Sequence, residues 1–541
     1  MKPILLSLFS ALFFAFAGCQ SKTEVDLIVI GQIHQGPGLP TAEAMAIHDG
    51  IIKAVGSEMD INSRFKGKAT EKLAHVYPGW HDAHCHFLGL GLSMQKVDLS
   101  GTESYQEVVE RCRAFNQKQN LGYITGRGWD HTDWGLTEMP SNELLNEAFP
   151  DIPVVIRRVD GHAALANDFA LNQAGFTLET QIDGGEIQVI DGKLNGILND
   201  NAVDTILNKL FPEPSPEQKK EALLLAQEKC LQYGLTSLTD AGLPWDDIQV
   251  ISESQKSGDL KIRINSMVSY SPEALNGFDK AASLESDFLR IRSIKVYADG
   301  ALGSRGACLL HPYHDRDNWH GYMITSLEEM KRAAERCLEM NIQVCTHAIG
   351  DSANRTTLNV YDEILPENSD ARWRIEHAQV VHPTDQKKFD GKRIIPSVQP
   401  THATSDMYWA ESRLGPDRVK NAYAYANLLN QAKVLPLGTD FPVEKVNPYL
   451  TWFAASTRQD LQGFPEGGFL NDQALSFEEI WKGMTLDPAY SAHLEDKLGS
   501  LEPGKFADFI VFTNDIQSTP AEKIPDLRPE LVFIGGVNVL K

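Results

Sequence analysis

The sequence has few cysteines, few basic residues and no apolar run long enough to span a bilayer. Its seven cysteines are scattered, and the six after Cys19 include no Cys-x-x-Cys pair, so a disulfide scaffold is excluded. Only 50 Lys and Arg stand against 73 Asp and Glu, which gives a net charge of −23. A surface of this sign argues against nucleic acid or an anionic membrane surface as the main partner.

The N-terminus carries the targeting signal of the chain. Lys2 precedes an apolar run, Ile4–Ala17, of 14 residues, which ends in Ala17-Gly18-Cys19. The run is too short to cross a bilayer and predicts a cleaved secretory signal over residues 1–18. The stretch "AFAGC" resembles the lipobox of bacterial lipoproteins, which implies acylation of Cys19 and an exported, membrane-anchored protein. An ordinary signal peptide or an uncleaved anchor would also direct the protein out of the cytoplasm.

Alternating apolar and polar residues at both ends of the chain predict strands. "VDLIVIGQIH" and "AMAIHDGIIKAVGS" near the start match "KFADFIVFT" and "ELVFIGGVNVL" near the end, so residues 24–75 and 491–541 are expected to build one small β-sandwich. Between them, over residues 76–490, short apolar strands alternate with helical segments such as "SPEQKKEALLLAQEKCLQYG" and "SLEEMKRAAERCLEMN". This is the pattern of a parallel α/β fold.

The spacing of the central strands fits a (β/α)₈ barrel, in which each unit takes about 31 residues. Steps of 28, 29, 52, 30 and 63 residues separate, in order, Leu238, Ser266, Lys295, His347, His377 and Asp440. If His86 ends strand 1, the last four of these end strands 4, 5, 6 and 8, at the barrel face where such enzymes build their sites. The 152 residues between His86 and Leu238 exceed one unit by about 120, which predicts an inserted subdomain over residues 95–215 that covers the barrel mouth.

The stretch "PGWHDAHCHF", residues 78–87, holds three histidines in six positions. Because side chains alternate along a strand, Asp82, His84 and His86 share one face, whereas His81 and Cys85 point to the other. Two imidazoles at i and i+2 can chelate one divalent ion. Two ligands alone make a weak site, and hydrogen-bonded histidines near a surface are the alternative.

Six motifs in a fixed order carry a family resemblance: "PGWHDAHCH", "KVYADGALGSRGA", "THAIGD", "IEHAQ", "LGTDFPVE" and "LGSLEPGKFADFIVF". From about residue 25 to the C-terminus the chain resembles the amidohydrolase superfamily, in the branch of YtcJ-like proteins and N-substituted formamide deformylase. The resemblance implies a TIM-like barrel with a flanking β-sandwich. It also implies one or two divalent ions, held by His84, His86 and Asp440 and by His347 and His377, with Lys295 as a carbamylated bridge.

A salt bridge from Lys295 to Asp299 or to another carboxylate is the alternative to that bridge, because an unpaired buried ammonium is costly. For His347 and His377 the alternative is a core histidine bonded to backbone, and for Asp440 a turn residue. Zinc suits the mixed nitrogen and oxygen ligands best, although manganese, iron and cobalt are compatible. Such a site would supply a metal-activated hydroxide, with Asp440 as proton shuttle. We therefore predict hydrolysis of an amide-type C–N bond other than a peptide bond, in an N-formyl or N-acyl compound.

Three residues are candidates for substrate contact: Trp129 in "GRGWD", His162 in "RVDGHAAL" and Arg305 in "DGALGSRGA". The Arg305 guanidinium can bind a carboxylate. The alternatives are a core position for Trp129, a turn position for His162 and a fixed salt bridge for Arg305. His402 in "QPTHATSD", near the end of strand 7, is expected to line the pocket without binding metal.

Two other functions stay open at this stage. The same hydroxide can cleave an ester, a lactone or a phosphotriester, and a surface lipoprotein can capture metal or ligand without turnover. Asp440 argues against a protein that only captures metal or ligand, because binding without turnover does not need a residue that shuttles protons. The expected partner is a small-molecule substrate, with membrane contact only through the lipid at Cys19, and the oligomeric state is open.

Overall fold

A computed structural model describes residues 22–119, 122–131, 133–136, 138–158, 163–182, 185–211, 213–303 and 305–540. These residues form three β-sheets and the helices that pack on them. Within these ranges, no helix combines the length and the apolar character needed to cross a membrane.

The strands follow one another along the chain as β1 (Thr23–His34), β2 (Thr41–His48), β3 (Ile51–Gly56), β4 (Phe65–Pro78), β5 (Trp80–Cys85), β6 (Val97–Asp98), β7 (Ile124–Trp129), β8 (Val154–Arg158), β9 (Ala163–Ala166), β10 (Gly185–Ile190), β11 (Lys193–Asp200), β12 (Leu235–Leu243), β13 (Arg263–Ser269), β14 (Leu289–Tyr297), β15 (Gln343–Ala348), β16 (Trp373–His377), β17 (Ile394–Ser397), β18 (Phe509–Phe512), β19 (Leu531–Ile534) and β20 (Val537–Asn538).

The α-helices are α1 (Glu58–Arg64), α2 (Phe87–Met94), α3 (Tyr105–Gln119), α4 (Glu143–Ala148), α5 (Asp168–Gln173), α6 (Asn201–Leu210), α7 (Pro216–Leu231), α8 (Trp245–Lys256), α9 (Pro272–Asn276), α10 (Ala281–Leu284), α11 (Leu327–Met340), α12 (Asp351–Ile364), α13 (Pro383–Gln386), α14 (Pro400–Asp406), α15 (Ala410–Leu414), α16 (Tyr425–Ala432), α17 (Pro448–Thr457), α18 (Phe477–Gly483) and α19 (Leu486–Ser491).

The first sheet, called here the terminal sheet, takes strands from both chain ends in the order β20-β19-β18-β4-β1-β2-β3. Strand β4 lies at its centre, parallel to β1 and antiparallel to β18. Apolar residues cover both faces: Val29 and Phe509 belong to one buried cluster and Ile28 to another. The ends of the chain are thus held together by backbone hydrogen bonds and by packing.

The central sheet is parallel throughout and has the order β5-β12-β13-β14-β15-β16-β17. This confirms the predicted parallel α/β arrangement, with Leu238 on β12, Ser266 on β13 and Lys295 on β14. Segment 436–440 bonds to both edges of this sheet. Leu437 O accepts from Ala83 N at 3.1 Å on one side, and Pro436 O accepts from Val398 N at 3.1 Å on the other.

The two helices expected from the sequence form as α7 and α11, and local chemistry explains where they begin. Ser215 and Gln218 make a reciprocal capping box at the start of α7, and the Ser326 hydroxyl accepts from the backbone of Glu329 at the start of α11. Such caps satisfy amide groups that have no partner inside the helix. Helix α11 ends at Met340, because the next residue, Asn341, has a left-handed backbone that stops the helix.

The residues between the first two strands of the central sheet form a sheet of their own, called here the insertion sheet. Its order is β10-β11-β9-β8-β7-β6, and it has a separate apolar core that includes Trp129, Leu145 and Ile156. The stretch "QPTHATSD", expected at the end of strand 7, is helical instead: β17 ends at Ser397, and residues 400–406 form α14. Proline at the first helical position, here Pro400, favours this start.

Candidate metal centre

Four histidines and one aspartate meet where the strands of the central sheet end. His84 lies on β5 and His86 directly after it, His347 on β15, His377 at the end of β16, and Asp440 in segment 436–440. Asp440 Oδ1 lies 3.2 Å from His86 Nε2 and 3.6 Å from His84 Nε2. The ring centroid of His377 is 4.9 Å from that of His84 and 4.5 Å from that of His347. The structure therefore brings together all five of these predicted residues.

Ligand atoms of His84, His377 and Asp440 all lie within 4.8 Å of one another, and all three side chains are buried. One polar atom of the cluster, His347 Nε2, is buried without a hydrogen-bond partner among the described residues, and the close polar neighbours of the buried Asp440 Oδ1 are imidazole nitrogens of His86 and His84. A buried lone pair without a partner costs free energy unless another group binds it. A divalent cation among these side chains would supply such a partner, so the residues fit a metal.

The protonation states of the cluster suit metal ligands. Burial, with the nearby Lys295, lowers the pKa of His84 to about 4 and that of His347 to about 3. Burial also lowers the pKa of His377. Burial alone would raise the pKa of Asp440, but the hydrogen bond from His86 and the neighbouring imidazoles outweigh it and hold the pKa low. Neutral imidazoles and an ionised carboxylate are the forms that bind divalent ions.

Two of these side chains project from a left-handed backbone, with φ of 74° at His377 and 61° at Asp440. Non-glycine residues adopt this region rarely, and such strain is concentrated at functional sites. At His377 it interrupts the alternation of the strand, so that the adjacent Glu376 also reaches the cluster. Gly438 has a different role, because a Cβ there would lie 2.6 Å from His84 N. Only glycine allows segment 436–440 to approach β5 so closely.

Glu376 accepts a hydrogen bond from a histidine of the cluster, a role that the sequence did not predict. Its Oε2 accepts from His84 Nδ1 at 2.5 Å and from Arg374 Nη2 at 3.0 Å. Both charged side chains are essentially inaccessible to solvent, and Arg374 Nε lies 2.7 Å from Glu376 Oε1. Burial would raise the pKa of Glu376, but Arg374 and His84 hold it low. A carboxylate behind a histidine fixes its tautomer and leaves the other nitrogen, here Nε2, free for a metal.

Backbone and amide groups fix two further side chains at the site. Asp299 accepts from the backbone N–H groups of Ile349, Gly350 and Cys308 at 2.8–2.9 Å, and its Oδ1 lies 3.7 Å from His347 Nε2. Burial raises the pKa of Asp299 to about 7. Gln399 Oε1 lies 2.8 Å from His377 Nδ1. Gln399 lies in "QPTHATSD", the motif already quoted for His402. Its place in that motif was the one sequence feature that could have indicated a position at the site.

Lys295 is buried beside His84. Its Nζ lies 3.3 Å from His84 Nε2 and 5.0 Å from the ring centre of Tyr297, and burial lowers its pKa. No carboxylate oxygen of the described residues makes an ion pair with this nitrogen within 4.0 Å, since Asp299 is occupied by backbone amides instead. The alternative of a Lys295–Asp299 salt bridge is therefore wrong for the structure described.

The neighbours of the histidine pair on β5 contact other groups. His81 Nε2 lies 3.3 Å from Thr239 Oγ1, and Cys85 Sγ donates to the carbonyl oxygen of Thr239 at 3.4 Å. Asp82 accepts from His84 N at 3.1 Å and from the Thr439 hydroxyl at 2.7 Å. Asp82 thus ties β5 to segment 436–440 and is not a ligand candidate in this arrangement.

His402, on the first turn of α14, also reaches the cluster. Its Nε2 lies 3.5 Å from Asp440 Oδ2, and its ring is 5.8 Å from that of His377, nearly parallel to it. His402 Nε2 has no hydrogen-bond partner among the described residues. The residue expected to line the pocket is therefore in contact range of the carboxylate that binds His86.

Two of the three predicted substrate residues, Trp129 and Arg305, lie among the described residues, and both make hydrogen bonds to groups outside the cluster. Trp129 is fully buried in the core of the insertion sheet, where its Nε1 donates to Ile156 O at 3.0 Å. A substrate contact by Trp129 would require that core to open. The guanidinium of Arg305 pairs with Asp315 through two hydrogen bonds of 3.0 and 2.8 Å. His162 and the acylation candidate Cys19 lie outside the described residues.

Comparison with known proteins agrees with this geometry. Residues 74–540 match the sequence model of the amidohydrolase family. Protein LONG AFTER FAR-RED 3 of Arabidopsis thaliana is 32% identical over 502 residues, 88% of this chain and 85% of the relative. Putative amidohydrolase YtcJ of Bacillus subtilis is 29% identical over 87% of this chain and 91% of its own. N-substituted formamide deformylase of Arthrobacter pascens is 23% identical over 92% of this chain and 94% of the relative.

Among solved structures, an uncharacterized metal-dependent hydrolase from Pyrococcus horikoshii superposes with a TM-score of 0.78 at 28% identity, over 92% of this chain and 99% of that one. The family match extends over most of the chain and includes every residue of the cluster. The chain belongs to the amidohydrolase family, in the branch of YtcJ-like proteins and N-substituted formamide deformylases.

Proposed function

We propose that the chain is a metal-dependent hydrolase that cleaves an amide-type C–N bond, of an N-formyl or N-acyl compound, at the cluster of His84, His86, His347, His377 and Asp440. The observation that carries the proposal is the buried His347 Nε2, which has no hydrogen-bond partner among the described residues, beside the buried Asp440 carboxylate and three further imidazoles. Family membership and the metal-dependent hydrolase of similar structure support the hydrolase class. The formamide deformylase relative favours a C–N bond.

The proposed ions are one or two Zn²⁺, with His84, His86 and Asp440 around the first position and His347 and His377 around the second. Lys295 is proposed as the bridge. Its amine would add to carbon dioxide, forming an N–C bond and releasing one proton, and the resulting carbamate would be an anion between two cations. The support is its burial, its 3.3 Å distance from His84 Nε2 and the absence of an ion-paired carboxylate among its described neighbours.

When bound, a divalent ion would lower the pKa of water to about 7 and polarise the substrate carbonyl. Asp440 is proposed to accept the proton of the attacking water and to pass it to the leaving nitrogen. Its low pKa keeps this carboxylate in the ionised form. His402 Nε2, 3.5 Å from Asp440 Oδ2, would hold the carboxylate in place during this transfer. Glu376 would keep the His84 ring oriented throughout.

A metal analysis followed by a hydrolysis screen tests the proposal. Protein loaded with zinc would be assayed on matched N-formyl, N-acyl, ester and lactone compounds, with chelator-treated protein as control. Turnover of the amide-type compounds that disappears with chelator and returns with zinc supports the proposal. Turnover confined to esters or lactones would reassign the bond that is cleaved. Bound metal without turnover of any compound would favour a binding protein.

The finer architecture is part of the same proposal. Segment 436–440 bonds to both Ala83 on β5 and Val398 after β17, which supports a closed eight-stranded barrel in which this segment takes the place of strand 8. The terminal sheet, apolar on both faces, supports the flanking β-sandwich built from both chain ends. The insertion sheet is proposed to cover the barrel mouth.

Export and a lipid anchor are proposed from the sequence alone. The motivation is the apolar run that ends in Ala17-Gly18-Cys19. Expressed in a bacterium, the full chain should fractionate with membranes, and Cys19→Ala should release it, because the acylated sulfur is lost. Intact mass of the purified protein is the second measurement. A mature chain with an unmodified N-terminus at another residue would contradict the anchor.

A further inference from the structure

We propose that the terminal sheet holds a metal site of its own, formed by His34, His75 and Asp515, which takes Zn²⁺ or a similar transition ion. This site shares no residue with the cluster of the central sheet, and it goes beyond the hydrolase proposed above. Its ligand atoms all lie within 4.8 Å of one another. Two imidazoles with one carboxylate form a donor set typical of zinc and related ions and unlike the all-oxygen sites of calcium.

The three residues come from distant parts of the chain. His34 ends β1 and His75 lies on the neighbouring parallel strand β4, where it is paired with Gln32. Asp515 precedes the short 3₁₀ helix 516–518 that follows β18. The terminal sheet thus places an N-terminal pair of histidines against a C-terminal carboxylate. An ion bound by all three would cross-link the two chain ends.

The distance between the two imidazoles matches a shared ion. His34 Nε2 lies 3.2 Å from His75 Nδ1, and two nitrogens bound to one tetrahedral zinc at about 2.0–2.1 Å are about 3.3 Å apart. The same distance suits a hydrogen bond between two neutral rings, with one N–H as donor. The two states use the same atoms, so an added ion and the hydrogen bond exclude each other. Metal titration therefore distinguishes them.

The surroundings restrict both the rings and the carboxylate. His34 is only 5% exposed, and its ring stacks on Tyr77 with centroids 4.2 Å apart and planes at 5°. The Tyr77 hydroxyl donates to Asp515 Oδ1 at 2.5 Å, and Gln517 N donates to the same oxygen at 3.0 Å. Neither hydrogen bond uses Oδ2. Groups that orient a ligand in this way are typical of metal sites.

A second candidate group in the same sheet provides the contrast. Asp26, His48 and Asp49 also approach one another, but they are more exposed, and Asp26 already pairs with Lys68 at 2.9 Å. A lysine ammonium neutralises the carboxylate that an ion would need. No ion pair within 4.0 Å joins Asp515 to a described lysine or arginine. His48 therefore serves as a matched control histidine for His75.

The experiment measures zinc bound to the purified mature protein, using Zn²⁺ alone after removal of metal by chelator. Wild type should bind one equivalent more than His75→Gln, and His48→Gln should bind as much as wild type. In a His86→Asn, His347→Asn background, which weakens the central cluster, one equivalent should remain and should disappear when His75→Gln is added. Equal binding by wild type and His75→Gln would overturn the site. So would an equal loss in His48→Gln, which would show adventitious surface binding.

A second readout does not depend on the central cluster. Zn²⁺ should raise the thermal unfolding temperature of the His86→Asn, His347→Asn protein, because an ion that binds only the folded state stabilises it. The rise should be lost with His75→Gln. Co²⁺ in place of Zn²⁺ should give the visible absorption of a low-symmetry site with nitrogen ligands in the same background. Absence of both signals in a folded background protein would contradict the proposal. The hydrolase proposal would stand in either case, since its residues are different.

Discussion

The buried pair of Glu376 and Arg374 allows the sharpest test of how the central site is supported. Glu376→Gln keeps the volume and one acceptor oxygen but removes the negative charge. The guanidinium of Arg374, essentially inaccessible to solvent, would keep only neutral partners, the Ala83 carbonyl at 2.7 Å and the hydroxyls of Ser397 at 2.9 Å and Ser491 at 3.4 Å. Removing one partner of a buried ion pair typically costs about 3–5 kcal/mol. We expect a loss in that range.

The same substitution should weaken metal binding. Glu376 Oε2 accepts from His84 Nδ1, and loss of such a support typically lowers metal affinity by about 10–100-fold. Urea unfolding of metal-free protein measures the first effect, and zinc titration measures the second. The two effects are separable, because one concerns the charge of Arg374 and the other the orientation of His84.

The control is Glu363→Gln. Glu363 pairs with Lys331 at 2.7 Å on the surface, where their side chains are 61% and 35% exposed. An exposed pair is worth about 0–1 kcal/mol, so this variant should be nearly neutral and should bind zinc as wild type does. A double-mutant cycle with Arg374→Met should show strong coupling to Glu376→Gln, since removing both charges leaves neither one unpaired. Equal, small losses in Glu376→Gln and Glu363→Gln would refute the reasoning.

Three further predictions concern separate parts of the molecule. Asp440→Asn should retain much of the bound metal while turnover falls by about 10²–10⁴-fold, whereas His347→Ala should lose metal and turnover together; near-normal turnover of Asp440→Asn with full metal would show that another residue moves the proton. Trp129→Ala should destabilise the fold by about 3–5 kcal/mol in urea with unchanged metal content, and a raised KM with unchanged stability would instead indicate a substrate contact. Burial lowers the pKa of His81 to about 3, below the about 6.5 of an unfolded chain, so this group removes stability as the pH falls from 6.5 towards 3. The unfolding free energy of His81→Gln relative to wild type should therefore rise by about 2 kcal/mol between pH 7 and pH 5, and an unchanged difference would contradict the assignment.

The strand positions could be predicted because one structural unit repeats along the chain. Parallel strands joined by helices need similar lengths of sequence, so the spacing of Leu238, Ser266 and Lys295 indicated three successive strands, observed as β12, β13 and β14. The alternation of side chains on β5 likewise separated His84 from His81, and the two contact different groups in the structure. Both predictions depend on regular local geometry, which the sequence encodes directly.

The supporting residues could not be predicted because they depend on irregular backbone or on distant parts of the chain. Glu376 precedes His377, and strand alternation would send one of the two away from the site; the positive φ at His377 allows both to reach it. Asp299 is held by amides at 308, 349 and 350, which no local pattern brings together. A tryptophan such as Trp129 suits a pocket or a core equally well, and only the packing decides between them.

The hydrogen bond from Asp440 N to His84 O, 2.8 Å long, has a consequence for the order of events during synthesis. Residues 82 and 439, which also bond to each other, are separated by 357 positions. At about 5–20 residues per second, strand β5 emerges from the ribosome roughly 20–70 seconds before its neighbour in segment 436–440. During that interval one edge of β5 has no partner strand, and His84 and His86 have no carboxylate from Asp440. The proposed set of metal ligands can therefore be complete only late in synthesis, after segment 436–440 has been made and has paired with β5.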